Sequence, residues 1–297
     1  MSSAAPKTVQ RTPFKRWCDE NTGLFFLIPW ILGFLIFKAY PFASSLVYSF
    51  TDLNFFKGIS QYGLMNYVEI FTSRKTVSVL LTTVKYAFIT VPLKLVFALF
   101  IAYILNFKIK FVNLFRTVYF MPNLIGGILL GYIWQILLNG VLANLQKPLL
   151  ALDAKAGFVG LVILMCWQQI GYMMIIYVAG LQSVPGDLIE AAKIDGANDR
   201  EILFKIKIPM VMPSVTICTF LTLTNSFKLF DQNLSLTAGE PAKQSMMLAY
   251  NIYDTFYARS GPQWKGIGQA KAVVFFLFVV VISLLQLHFT RSKEVQA

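Results

Sequence analysis

Long apolar runs separated by short polar stretches set the pattern of this chain. The runs fall at about Leu24–Phe50, Val77–Asn106, Thr117–Leu138, Gly157–Gln182, Met210–Gln232 and Ala272–Thr290. Each is near the ~20 residues that a helix needs to cross the hydrocarbon core of a bilayer. In lipid a segment must satisfy its own backbone donors and acceptors, which a helix does alone. The expected fold class is therefore an all-α integral membrane protein with about six transmembrane helices. Pro29 lies near the start of the first run, while Pro41 and Pro122 interrupt the first and third and are read as kinks that fit the bundle. The fourth run ends just before Pro185. This divides the chain into a polar tail (1–23), a transmembrane domain (24–290) and a second short tail (291–297).

Composition supports that reading. Apolar residues are 57% of the chain and charged residues 13%, against roughly half and about a quarter in soluble domains. The 26 Lys and Arg outnumber the 14 Asp and Glu, a balance that in a soluble protein points to nucleic acid. No basic and aromatic alternation in a soluble region accompanies it, so a nucleic-acid partner is not expected. The positive-inside rule explains the charge better. With both termini in the cytoplasm, the inside segments (the tails, 107–116 and 183–209) hold thirteen Lys and Arg, and the outside segments (51–76, 139–156 and 233–270) hold eight. The basic start followed directly by a span lacks a cleavage site, so a removable signal peptide is not expected. Cys18, Cys166 and Cys218 are isolated and His288 is the sole histidine, which excludes a disulfide framework and a Cys/His metal site. No GxxxxGK[ST] loop occurs, so any energy from ATP must come from a partner chain.

Glu190–Pro209 (EAAKIDGANDREILFKIKIP) is a charged stretch between two spans, and it must lie in water beside the membrane. Pro185, Asp187 and Glu190 suit the first turn of a helix and the positive end of its dipole. Leu188, Ala191, Ala192 and Asp195 then share one face. The two alanines let a partner approach closely, Leu188 anchors it and Glu190 offers an ion pair. Gly196 permits a sharp turn, after which Ile202, Phe204 and Ile206 are expected to lean on the membrane domain. A surface helix lying on lipid is the alternative, but such helices carry a basic polar face and bulky apolar residues opposite.

Polar groups inside spans are costly, about 2.5–3.5 kcal/mol for a central charge, and they face a cavity or each other. Thr222, Asn225 and Ser226 form a stripe on the fifth run; Gln168, Gln169 and Tyr172 cluster on the fourth beside Trp167. Amides, hydroxyls and aromatic faces are what a neutral sugar needs. The same groups also serve to tie helices together. Lys228 and Asp231 are spaced for a local ion pair or a gate. Lys38, Lys85 and Lys94 snorkel or line crevices and receive no function.

The pattern EAA, three residues, Gly, nine residues, I-x-aliphatic-Pro resembles the signature of permease subunits of binding-protein-dependent ABC importers. Glu190, Ala191, Ala192, Gly196, Ile206, Ile208 and Pro209 match it, with Ile208 where Leu is usual. Asp195 and Ala197 complete an EAAxxDGA form similar to the carbohydrate-importing branch. Asn66-Tyr67 with Phe71, Leu-Gln-Ser-Val-Pro at 181–185, and Phe230-Asp231 followed by Thr237-Ala-Gly-Glu-Pro241 resemble the maltose-transporter first-permease type, with Glu240 replacing a Gly. The resemblance implies a type I ABC importer permease fold in a prokaryotic cell membrane. It makes residues 185–208 coupling helices seated in a groove of an ATPase subunit, where Glu190 meets a basic group. It also implies a second permease, an ATPase dimer that carries ATP and Mg, an extracytoplasmic solute-binding protein, and no cofactor or catalysis on this chain. Solute contacts would lie on the spans flanking the coupling region. Another polar solute such as glycerol 3-phosphate is the alternative cargo. An ion-coupled secondary transporter is disfavoured, since Asp231 is the sole acid placed near a span end.

Overall fold

The computed structural model describes residues 22–52, 62–107, 109–259, 261, 263–292 and 294. The first span is a rod made of α1 (Thr22–Phe34) and α2 (Tyr40–Ser49), joined by a π-helical turn at Leu35–Ala39. A short α3 (Met65–Thr72) leads into the long α4 (Arg74–Ile104). Then come α5 (Val112–Phe120), α6 (Gly127–Asn144), α7 (Ala154–Gln182) and the short α8 (Gly186–Ile194). Beyond them lie α9 (Met212–Phe227), α10 (Asp231–Leu236), α11 (Leu248–Tyr253) and α12 (Gln263–Arg291). Five helical stretches among the described residues are long and apolar enough to cross a membrane: Phe26–Ser49, α4, α6, α7 and α12. A sixth appears if Asp199–Met210 and α9, bent by 64° at one break, count as one span.

Prolines place the irregularities. Pro41 has no N–H to give the carbonyl four residues back, and its ring presses on that turn. That earlier residue, Phe37, lies in the π-helical turn Leu35–Ala39, where the wider helix makes room. Pro209 repeats the device: Lys205, four residues before it, sits in the π-helical turn Ile202–Lys207. Pro122 acts more strongly. The third apolar run is not one helix through Thr117–Leu138, because α5 stops at Phe120, a 3-10 turn covers Met121–Leu124, and Gly126 starts α6. The span candidate is α6, well to the C-terminal side of the expected one. The fifth run is also shorter than expected, since the chain breaks after Lys228 and re-forms a helix at Asp231.

The core is built where α4, α7 and α9 meet. Near the α8 end, Ala98, Ala102, Met173, Met174, Tyr177, Val178 and Cys218 are buried together. Toward the other end, Tyr86, Leu161, Leu164, Met165, Leu229, Leu236 and Met247 form a second cluster. Gly171 brings α5 against α7: a Cβ there would sit 1.8 Å from the Tyr119 carbonyl oxygen. The segment after α9, expected as an outside loop, is packed into the bundle. Asn233 donates to the Ser245 carbonyl at 2.9 Å and accepts from the Met247 N–H at 2.8 Å, and the Leu248 N–H donates to Thr83 Oγ1 at 2.9 Å. The α1–α2 rod stays at the margin, with Phe42 against Phe276 of α12 and most of its apolar side chains exposed.

Candidate coupling segment and transport pathway

The connection between α7 and α9 is organised by local capping. Pro185 stands at the N-cap of α8, Asp187 lies in its first turn and Lys193 in its last, each at the favourable end of the dipole. The helix closes with Ala197 N–H on the Ala192 carbonyl at 2.9 Å and Gly196 N–H on the Lys193 carbonyl at 3.1 Å. That paired closure needs a left-handed residue, and Gly196 supplies it at φ +82°. The next turn opens with a capping box: Glu201 N–H donates to Asn198 Oδ1 and Asn198 N–H to Glu201 Oε2. Glu201 also accepts from Lys205 Nζ at 2.9 Å. The Lys205 hydrogen bond, joined by the Asn198 N–H, holds the exposed Glu201 carboxyl below its usual range.

Side chains on α8 divide into two sets. Ile189 packs against the core cluster. Leu188, Glu190, Ala191, Asp195 and Gly196 are exposed, while Ala192 and Ala197 are half-buried. Glu190 forms no ion pair among the described residues. Ile194 is 87% exposed, a large apolar residue standing free between two charged neighbours. Sequence reasoning passed over it, although an isolated aliphatic in so polar a stretch is itself a signal. It also missed the Asn-x-x-Glu cap. Of the residues expected to lean on the membrane domain, Ile202 is buried and Ile206 packs on the core, but Phe204 is 60% exposed. Even so, Phe204 lines an apolar groove with Val96, Phe100 and Tyr103 of α4.

The polar residues within the spans also divide. Gln168 is buried and bonded on both edges of its amide: its Nε2 donates to the Ile125 carbonyl at 3.3 Å and its Oε1 accepts from Gln232 Nε2 at 2.8 Å. Thr222 Oγ1 donates to the Cys218 carbonyl at 2.6 Å, and Ser226 Oγ donates to the Thr222 carbonyl at 2.8 Å and meets Thr90 Oγ1 at 3.3 Å; both hydroxyls are buried. Gln169, Tyr172 and Asn225 are half-exposed. Gln169 Oε1 accepts from Lys94 Nζ at 2.8 Å, and the Tyr172 ring lies 6.4 Å from Phe120. The expected Lys228–Asp231 pair is absent among the described residues. The break at Leu229–Phe230 turns the chain between them, and both are exposed. Lys38 and Lys85 are exposed, whereas Lys94 neither snorkels nor lines a crevice: it is fully buried.

Residues 64–295 match the family described as "Binding-protein-dependent transport system inner membrane component". This chain belongs to that family. The chain is 40% identical over 281 residues to a protein named probable starch degradation products transport system permease protein AmyD, from Thermoanaerobacterium thermosulfurigenes, covering 91% of this chain and 94% of that one. It is 28% identical to the arabinooligosaccharides transport system permease protein AraP of Bacillus subtilis, covering 98% and 94%. In fold it resembles a chain from the crystal structure of a bacterial ABC transporter involved in the import of the acidic polysaccharide alginate. The TM-score there is 0.79 at 18% identity, over 95% of this chain and 99% of that one. The family match begins at residue 64 and so leaves out the α1–α2 rod, but these wider similarities run over most of the chain. As a member of the family the protein is a multi-pass membrane component of a transport system, and its fold is that of a type I ABC importer permease.

Proposed function

We propose that this chain is one membrane half of an ATP-driven importer of oligosaccharides, of the kind released by polysaccharide breakdown. An extracytoplasmic binding protein delivers the cargo, and this chain with a second permease passes it by alternating access. A separate ATPase dimer, carrying ATP and Mg, seats on α8 and the turn after it, which puts that segment and both termini in the cytoplasm. The observation that carries the reading is the α7–α9 connection. It is held by a paired helix closure and a capping box, yet it exposes Leu188, Glu190, Ala191, Ile194 and Asp195, with Glu190 in no ion pair among the described residues. A rigid helix with a small-residue face, two apolar side chains and a free carboxylate fits a groove with a basic group in it. The permease names of its relatives support a sugar as cargo.

Purification of the chain from its native membrane tests the assembly. A second permease, two ATPase subunits and a binding protein loaded with an oligosaccharide are expected to accompany it. The double variant Glu190→Lys, Gly196→Trp is expected to lose solute-stimulated ATP hydrolysis. Stimulation at the wild-type level in that variant refutes the docking role.

A further inference from the structure

Lys94 is a lysine well inside α4, completely buried, with no carboxylate in ion-pair range among the described residues. A charge at that depth is expensive and is kept where something depends on it. Among the described residues its one hydrogen bond runs to Gln169 Oε1 on α7, and the Tyr86 ring lies 5.9 Å from its Nζ. A lysine ammonium only donates, so the edge of Gln169 facing it must be the carbonyl. The amide Nε2 is thereby turned the other way, where it has no hydrogen-bond partner among the described residues. Gln169 is half-exposed near the centre of α7. Lipid cannot satisfy an unpaired amide at that depth, so this edge faces another protein chain or water. Tyr172, three residues along the same side of α7, is half-exposed beside it.

We propose that Lys94 is a positioning residue for the transport pathway: it locks the Gln169 amide so that its two N–H groups point at the passing cargo as donors to hydroxyl oxygens. The proposal rests on the reading of the chain as an oligosaccharide permease and names a device within it. A free glutamine presents donor or acceptor with equal ease by rotating about its last bond. The lysine removes that choice, so cargo oxygens always meet a donor. Neighbouring Gln168 is placed differently: it is buried, and its amide already bonds the Ile125 carbonyl and the Gln232 side chain.

The test uses the complete transporter in proteoliposomes. In a background with Cys18, Cys166 and Cys218 replaced, Gln169→Cys is expected to react with a hydrophilic methanethiosulfonate, and maltotriose with its binding protein is expected to slow that reaction. A residue 169 that resists the reagent, while an exposed control position such as Ser183→Cys reacts, overturns the proposal whatever the cargo. In the second arm, uptake of labelled maltotriose by Lys94→Met is expected to show KM raised about tenfold with kcat within about twofold, and Lys94→Arg to restore part of it. If Lys94→Met does not fold, Gln169→Glu decides: it keeps an acceptor for Lys94 but offers the cargo an acceptor in place of donors. Its thermal midpoint is expected to hold while KM rises about tenfold. An unchanged KM in Gln169→Glu overturns the positioning role. A wild-type complex that moves no maltotriose refutes only that choice of cargo, and the KM comparison is then made with the solute eluted from its binding protein.

Discussion

The α7–α9 connection and the polar middle of the bundle are both unusual in a membrane protein, and they use polar groups in opposite ways. In the middle, Gln168, Thr222 and Ser226 are buried, and their hydrogen-bonding groups are engaged by the chain itself. In the connection, backbone groups are closed by caps while the side chains of Glu190, Asp195 and Leu188 are left outside. A group already bonded inside the fold contributes to stability and has little left to offer a partner. A group held rigid but unbonded contributes little to stability and is available for recognition. Exposure combined with unused hydrogen-bonding capacity therefore separates candidate functional residues from structural ones better than polarity does.

The largest effect expected is on the stability side. In Gly171→Ala the new methyl meets the Tyr119 carbonyl oxygen at 1.8 Å and its carbon at 2.4 Å, so the backbone of α5 must move. Overpacking costs about 1–3 kcal/mol and sometimes more, and an obstacle made of backbone puts this site at about 3 kcal/mol. The thermal midpoint of the purified protein should fall accordingly. A variant as stable as the wild type means that α5 does not press on α7 as described.

Glu190→Lys should do the reverse. The side chain is exposed and makes no ion pair among the described residues, so stability should stay within about 0.5 kcal/mol. Solute-stimulated ATP hydrolysis by the assembled transporter should fall at least about tenfold, equivalent to about 1.4 kcal/mol of coupling. A matched loss of both quantities puts Glu190 among the structural residues and breaks the contrast.

Two adjacent residues on α9 draw the line more finely. Ser226→Ala removes a buried hydroxyl bonded to the Thr222 carbonyl, and should cost about 1 kcal/mol while leaving the cargo KM alone. Asn225→Ala, at a half-exposed amide, should leave stability within about 0.5 kcal/mol and raise that KM severalfold. Uptake kinetics and thermal midpoints measured on both variants decide it. The opposite assignment of effects means that the stripe faces the other way.

Much of the fold was legible because spans are a matter of length and apolarity, and those are printed in the chain. Gly157–Gln182 came within three residues of α7. What failed was continuity. A hydropathy run does not show that Pro122 ends a helix while Pro41 only widens one, because the outcome depends on whether neighbours supply the missing bonds. The turn at Gly196 was legible from the residue itself, yet the exposed Ile194 and the Asn198–Glu201 cap went unread beside the louder Glu-Ala-Ala pattern. The polar stripes were visible as stripes. Which members face inward is set by how α4 and α7 rotate against α9, and no local rule fixes that rotation. Lys94 shows the limit: a lone lysine in a span reads as a snorkelling side chain until the glutamine opposite it is known.

The smallest effect expected lies in the connection itself and asks how rigid it must be. Asn198→Ala removes the oxygen that accepts the Glu201 N–H and should cost the local structure about 1 kcal/mol. Because this piece stands outside the core, the loss should show as faster amide exchange over 198–202 and leave the global midpoint nearly unchanged. Acid should act on the other half of the same cap. The Glu201 carboxyl is held below its ordinary 4.5 by Lys205 and the Asn198 N–H, so its contribution is complete at pH values above 4.5 and fades as pH falls through the depressed value. Protection of the segment, corrected for the intrinsic pH dependence of amide exchange, should therefore be insensitive to Glu201 at neutral pH and fall only below pH 4.5, and Glu201→Gln should weaken that fall. If Asn198→Ala leaves exchange untouched but lowers coupled ATP hydrolysis, Asn198 belongs to the contact surface, and the boundary between the capped frame and its exposed face must be redrawn there.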